Sequence, residues 1–140
     1  MDFDTNCVFC KIVHGDIPSA KLYEDEDVMA FLDVNPVTYG HALVISKKHY
    51  SNFLSTPKDV MNKVMNVAQR IGQVQMEQLG AKGINILINC KEAAGQEVQH
   101  FHVHVIPRYT ATDGFKLELK QMKEINLPAV AKEIKEKLDN

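Results

Sequence analysis

Hydrophobic and polar positions change period along the chain, and each change marks an element. Val60, Val64, Val67, Ile71 and Val74 recur at spacings of four, three, four and three, which paints one stripe on an α-helix. Thr56 offers a capping hydroxyl, Pro57 suits the first helical position, and Asp59 stands three residues after the cap in a capping-box arrangement. Leu79 continues the stripe and Gly80 supplies its stop. Strand patterns surround this helix. Lys21–Asp27 and Val28–Val34 read as two short strands around an acidic turn, and His41–Ser46, Ile84–Asn89 and Val98–Ile106 read as three more. Between them, 35–40 ("NPVTYG") and 90–97 ("CKEAAGQE") carry loop chemistry. Pro128 opens a final short helix, with Val130, Ile134 and Leu138 on its buried side. Strands come in groups around one long helix, without a regular βαβα alternation. That predicts an α+β domain with an antiparallel sheet.

One strand is unusual. In "HFHVHVIP" (100–107), half of the chain's six histidines alternate with apolar residues. On a strand, His100, His102 and His104 share one face, while Phe101, Val103 and Val105 face the core. Three readings stand: a solvated polar face, a metal site to which strand neighbours give two ligands, or nucleophilic catalysis by a neutral imidazole.

Composition narrows the classes. The 140 residues make one domain, 1–140, with 45% hydrophobic and 24% charged positions, as in ordinary globular chains. A net charge of −2 argues against broad polyanion binding, so no nucleic-acid partner is expected. No apolar run approaches the roughly 20 residues of a membrane span. The first ten residues, "MDFDTNCVFC", lack a basic region followed by an apolar one, as a secretory signal would have. Cys7, Cys10 and Cys90 form an odd, sparse set that fits a reducing cytoplasm better than a disulfide framework.

The residues also carry a resemblance. "HFHVHVI" fits the His-X-His-X-His-X-X signature of the histidine triad superfamily of nucleotidyl hydrolases and transferases. "CVFCKIVHGDIPSAKLYEDEDVMAFLDVNPVTYGHALVISKKH" resembles that family's N-terminal half, and "GQEVQHFHVHVIPR" its active-site strand. The resemblance spans about 6–108 and leaves 109–140 as a variable tail. It implies a five-stranded antiparallel sheet with one long helix and a short C-terminal one, in a homodimer with a continuous sheet across the interface. It further implies that His102 attacks the α-phosphorus of a purine nucleotide, giving a nucleotidyl-histidine that water hydrolyses to the monophosphate. His104 and His41 would bind phosphate oxygens or move protons. Gln96 would lie near the scissile bridge, Asn89 beside the phosphate, and backbone groups of the loop with Gly95, Glu97 and Val98 along it. Asp33 would accept from ribose hydroxyls, with Val8, Phe9, Ile12, Phe31, Leu32 and Val34 lining the base pocket.

Glu97 departs from the family, which commonly carries Ser or Thr there. A hydroxyl donates to a leaving group, whereas an ionised carboxylate cannot and repels phosphate oxygens. Either Glu97 turns away or it selects a cationic leaving group. The chain also lacks tryptophan, so the aromatic C-terminal contact of some relatives is missing. Cys7 and Cys10 form a Cys-X2-Cys pair. Similarity to the galactose-1-phosphate uridylyltransferase branch implies that His49 and His100 complete a structural Zn2+ site, against the bland alternative of two reduced thiols. The substrates implied are nucleoside phosphoramidates or related adenylates. Alternatives are dinucleoside polyphosphate cleavage, a nucleotide-binding regulator with incidental catalysis, and a metalloenzyme using all three strand histidines.

Overall fold

A computed structural model describes residues 4–138. Five strands, β1 (Lys21–Glu24), β2 (Val28–Leu32), β3 (Ala42–Ser46), β4 (Gly83–Leu87) and β5 (His102–Arg108), form one sheet in the order β1-β2-β3-β5-β4. Every neighbouring pair is antiparallel. The pairing Leu43↔His104 and Ile45↔His102 lays the histidine strand beside β3 in mid-sheet. The expected α+β architecture is therefore the observed one.

Each face of the sheet has its own core. Val28, Ala30, Val44, Phe101, Val103 and Val105 pack under α2 (Lys58–Gln78). The opposite face gathers Phe9, Met29, Phe31, Leu43 and Ile45 with the two N-terminal cysteines. Cys10 sits on α1 (Val8–His14), a seven-residue helix that the hydrophobic pattern does not announce. Cys7 caps it in place of the usual hydroxyl or carboxamide, its Sγ accepting the Cys10 N–H at 3.2 Å. Gly15, at φ +84°, ends it in the left-handed conformation that glycine adopts without strain.

Four expectations need correction. Thr56 does not cap α2: its hydroxyl donates to the Asn52 carbonyl, and Pro57 takes the cap position with no side-chain bond. The helix also turns further than the valine stripe suggests. Val74 is 53% exposed, whereas Gln75 is 2% exposed, because its amide satisfies the Gly40 and Val105 carbonyls at 3.0 Å each. A polar residue with two buried carbonyls to serve has displaced an apolar one. β5 begins at His102, not Val98, since the preceding residues bend to bring Phe101 N–H to the Tyr50 carbonyl at 2.7 Å. Finally, α3 (Leu127–Leu138) buries nothing, and its apolar positions Val130, Ile134 and Leu138 are 41%, 56% and 78% exposed. Near its start the tail is held by Arg108, which binds Asp113, Asn85 and the Phe115 carbonyl.

Candidate active site

Strand alternation brings His102 and His104 to the α1 face, and His41, the residue before β3, lies beside His104. Their hydrogen bonds fix the ring protons. His102 Nδ1 lies 2.7 Å from the His100 carbonyl, which can only accept, so Nδ1 carries the proton and Nε2 is a bare lone pair. His41 Nδ1 accepts the Val37 backbone N–H at 3.2 Å, so the proton of neutral His41 sits on Nε2. It points at His104 Nδ1, 2.9 Å away, with Asp33 Oδ2 at 3.5 Å. His104 therefore accepts at Nδ1 and keeps an Nε2–H to donate.

Burial holds this set neutral. Desolvation is the largest influence on all three rings and pushes each below the ordinary histidine value, His104 to about 4. For His102 the bond to the His100 carbonyl and the charges of Asp33 and Glu97 oppose the fall. Phe9 packs edge-on against His102 with centroids 5.1 Å apart, and against Phe31 at 5.6 Å. A shielded imidazole with a bare Nε2, next to a neutral donor backed by Asp33 and His41, is equipped to attack an electrophile and pass a proton.

The loop before β5 is built around Gln96, which is 3% exposed. Its Oε1 accepts the Lys91 N–H at 2.7 Å, and its Nε2 donates to the carbonyls of Ser51 at 2.7 Å and Val98 at 3.0 Å. Its own N–H donates back to the Lys91 carbonyl at 3.1 Å. Lys91 is thereby held at φ 73°, ψ 163°, a region that side-chain-bearing residues avoid. Asn89 lies against Gly95, donating to its carbonyl at 3.4 Å. Glu97 is exposed at the rim, within electrostatic reach of His102. Of the apolar residues expected around a base, Phe9 and Phe31 are buried on the histidine side. Ile12 and Val98 pack against them. Val34 is 83% exposed and Val8 39%. Leu32 belongs elsewhere, lining a cavity beside α2 with Val67 and Ile71.

Two groups of side chains have metal-ligand spacing among the described residues: Cys7, Cys10, His49 and His100, and Asp33, His41 and His104. The first fits zinc. His100 Nε2 donates to the Ser46 carbonyl at 2.7 Å, which leaves Nδ1 bare and facing Cys7 Sγ at 3.3 Å and Cys10 Sγ at 3.5 Å. His49 Nδ1 lies 3.3 Å from Cys10 Sγ. A tetrahedral zinc with ordinary bond lengths sets S···N edges of roughly 3.6 Å, close to these separations. The carbonyl behind His100 is the customary outer partner of a metal-bound imidazole. The second group does not fit. A metal on His41 Nε2 would drive the ring proton to Nδ1, against the Val37 N–H, so this trio reads as a proton relay. His102 belongs to neither group.

The chain is 45% identical over 129 residues to a HIT-like protein of Methanocaldococcus jannaschii, covering 92% of this chain and 98% of that one. It is 41% identical over 103 residues to the adenylylsulfatase HINT3 of Arabidopsis thaliana, covering 74% of this chain and 52% of that longer protein. Among solved structures, a Zn-bound histidine triad family protein from Mycobacterium smegmatis superposes with a TM-score of 0.71 at 38% identity, covering 93% and 96% of the two chains. The HIT domain matches residues 14–111, which contain all three strand histidines and His41. The chain belongs to the HIT domain family.

Proposed function

We propose that this chain is a nucleotidyl hydrolase that cleaves purine nucleoside phosphoramidates or related adenylates through a covalent intermediate on His102. The tautomer lock on His102 carries the reading, because it aims a bare Nε2 away from its own backbone anchor. In the first displacement Nε2 forms a bond to the α-phosphorus as the bond to the leaving group breaks. The Nε2–H of His104 supplies a proton to the departing nitrogen or oxygen while the His41 Nε2–H shifts to His104 Nδ1 beside the Asp33 carboxylate, and the water of the second step returns that proton along the same pair. Water then attacks phosphorus, the N–P bond breaks, and the monophosphate leaves with His102 restored. Phe9 and Phe31 form the apolar floor for the base, Asp33 faces the ribose, and the loop at Asn89, Gly95 and Val98 lies along the phosphate. Gln96 shapes that loop.

Charge at the rim favours amine leaving groups. The Glu97 carboxylate attracts an alkylammonium-bearing substrate and repels a departing polyphosphate, which ranks phosphoramidates above dinucleoside polyphosphates. The name of the Arabidopsis relative, an adenylylsulfatase, supports adenylate chemistry. Structural Zn2+ would be held by Cys7, Cys10, His49 and His100, tying α1 to the strand that presents His102. The Zn-bound relative supports that assignment. The odd, sparse cysteine set of the sequence supports a cytoplasmic location. No helix among the described residues is long and apolar enough to cross a membrane. The open edge of β4, with Ile86 47% exposed, supports a homodimer joined through that strand. The test is turnover of an adenosine phosphoramidate against a diadenosine polyphosphate. Preference for the amine leaving group is expected, and AMP release only from the polyphosphate would defeat the substrate assignment.

A further inference from the structure

Gln75 is the only polar residue among those that α2 buries. A carboxamide taken out of water is costly unless its groups are paired. Here both hydrogens of Nε2 are used, donating to the Gly40 and Val105 carbonyls at 3.0 Å each. Both partners can only accept, which fixes the orientation of the amide.

The two acceptors stand beside two histidines. The Gly40 carbonyl belongs to the peptide group that continues into His41, and the Val105 carbonyl stands one residue after His104. Those rings meet at 2.9 Å, Nε2 to Nδ1. The paired register of β3 with β5 ends at Ala42↔Val105. Beyond that pair Gln75 bridges the two chain segments from α2, in place of a ladder rung. The segment before His41 is anchored on the same side. Gly40, at φ +93°, is pressed on the end of α2, where a Cβ would meet Leu79 Cδ1 at 2.7 Å. The Tyr39 carbonyl accepts the Tyr109 hydroxyl at 2.5 Å, and the His41 carbonyl accepts the Asp33 N–H at 3.0 Å.

We infer, on the relay role proposed for His41 and His104, that Gln75 is a positioning residue for proton transfer. By clamping the Gly40 and Val105 carbonyls it sets the separation of the two rings, and so the delivery of the proton to the leaving group. Both amide hydrogens go to backbone, so Gln75 acts on the rings through the chain that carries them. A displaced relay matters only where the leaving group needs a proton. An amine leaves phosphorus protonated, whereas p-nitrophenolate leaves as the anion.

The test compares an adenosine phosphoramidate with the p-nitrophenyl ester of AMP, using the full chain. Gln75→Met keeps the length of the side chain and loses both donors. It should lower kcat for the phosphoramidate by about tenfold, part of the roughly 10²–10⁴-fold that a placed acid contributes. KM should stay within about twofold, and so should kcat for the ester. Gln75→Leu is measured beside it, with every assay run below the variant's melting transition. Val64→Ala, a fully buried truncation on the same helix, controls for loosened packing and should show no such selectivity. His104→Gln removes the transferable proton itself and should slow the phosphoramidate selectively. A selective fall in His104→Gln with none in the Gln75 variants overturns the positioning role. An equal fall on both substrates in the Gln75 variants also overturns it, leaving Gln75 a part of the fold alone. No selective fall in His104→Gln would instead refute the relay role, and the positioning role with it.

Discussion

Gln96 tests whether the active-site loop is held by a clamp or merely occupied by a nearby side chain. Gln96→Ala removes three hydrogen bonds of 2.7, 2.7 and 3.0 Å and leaves the Lys91 N–H and two carbonyls without their partner. At about 1 kcal/mol net per bond, the loss comes to about 3 kcal/mol. For a domain of this size that lowers Tm by roughly 8–15 °C. The second half of the test concerns Lys91, whose φ of 73° with ψ of 163° stores about 1–3 kcal/mol of strain. Lys91→Gly relieves that strain against roughly 0.5–1 kcal/mol of added backbone entropy in the unfolded chain. A glycine in place of Lys91 should hold the loop without help. Gln96→Ala should then cost at least about 1 kcal/mol less in the Lys91→Gly background than in the native one. Urea unfolding of the zinc-loaded single and double variants measures the coupling. Equal losses in both backgrounds, to within about 0.5 kcal/mol, would show that Gln96 does not restrain Lys91.

Cys7→Ser removes one of four ligands from the Cys7, Cys10, His49 and His100 set. The variant should lose bound zinc by elemental analysis and melt at lower temperature, whereas equal zinc content in variant and wild type would exclude the site. Glu97→Ser should shift preference from cationic amine leaving groups toward anionic ones. An unchanged substrate profile would mean that Glu97 points elsewhere. His104 is held near 4 in the fold, mainly by desolvation, against an ordinary value of 6.5. The unfolded chain therefore binds more protons between those values, so this residue's stabilising contribution is complete above pH 6.5 and lost as pH falls toward 4. His104→Gln should flatten the fall in stability across that window, and an unchanged slope would remove His104 as its source.

Much of the architecture is legible in the sequence because it rests on period. The long helix, the strand grouping and the shared face of His102 and His104 follow from spacings of 3.6 and 2. What escapes the sequence depends on partners far along the chain. Gln75 is polar and falls outside the apolar stripe, yet its amide donates to the Gly40 and Val105 carbonyls. The α1 helix is short and capped by a thiol, which cap preferences do not rank. The tail differs for another reason: an amphipathic pattern implies a buried side, and nothing among the described residues covers the one on α3. For the site, the Cys-X2-Cys pair is visible as a weak signal, while His49 and His100 enter through family resemblance. The features that decide the chemistry are backbone groups, the His100 and Ser46 carbonyls and the Val37 N–H. They set three ring tautomers and have no side-chain signature to read.

The most direct measurement of the central claim is intact-protein mass spectrometry after brief incubation with an adenosine phosphoramidate, alongside an assay of released AMP. A transient adenylyl adduct is expected on the wild-type chain, with AMP release, and neither on His102→Ala, which still binds AMP. An adduct or comparable turnover in His102→Ala would contradict it, as would tight AMP binding by the wild type with neither adduct nor release.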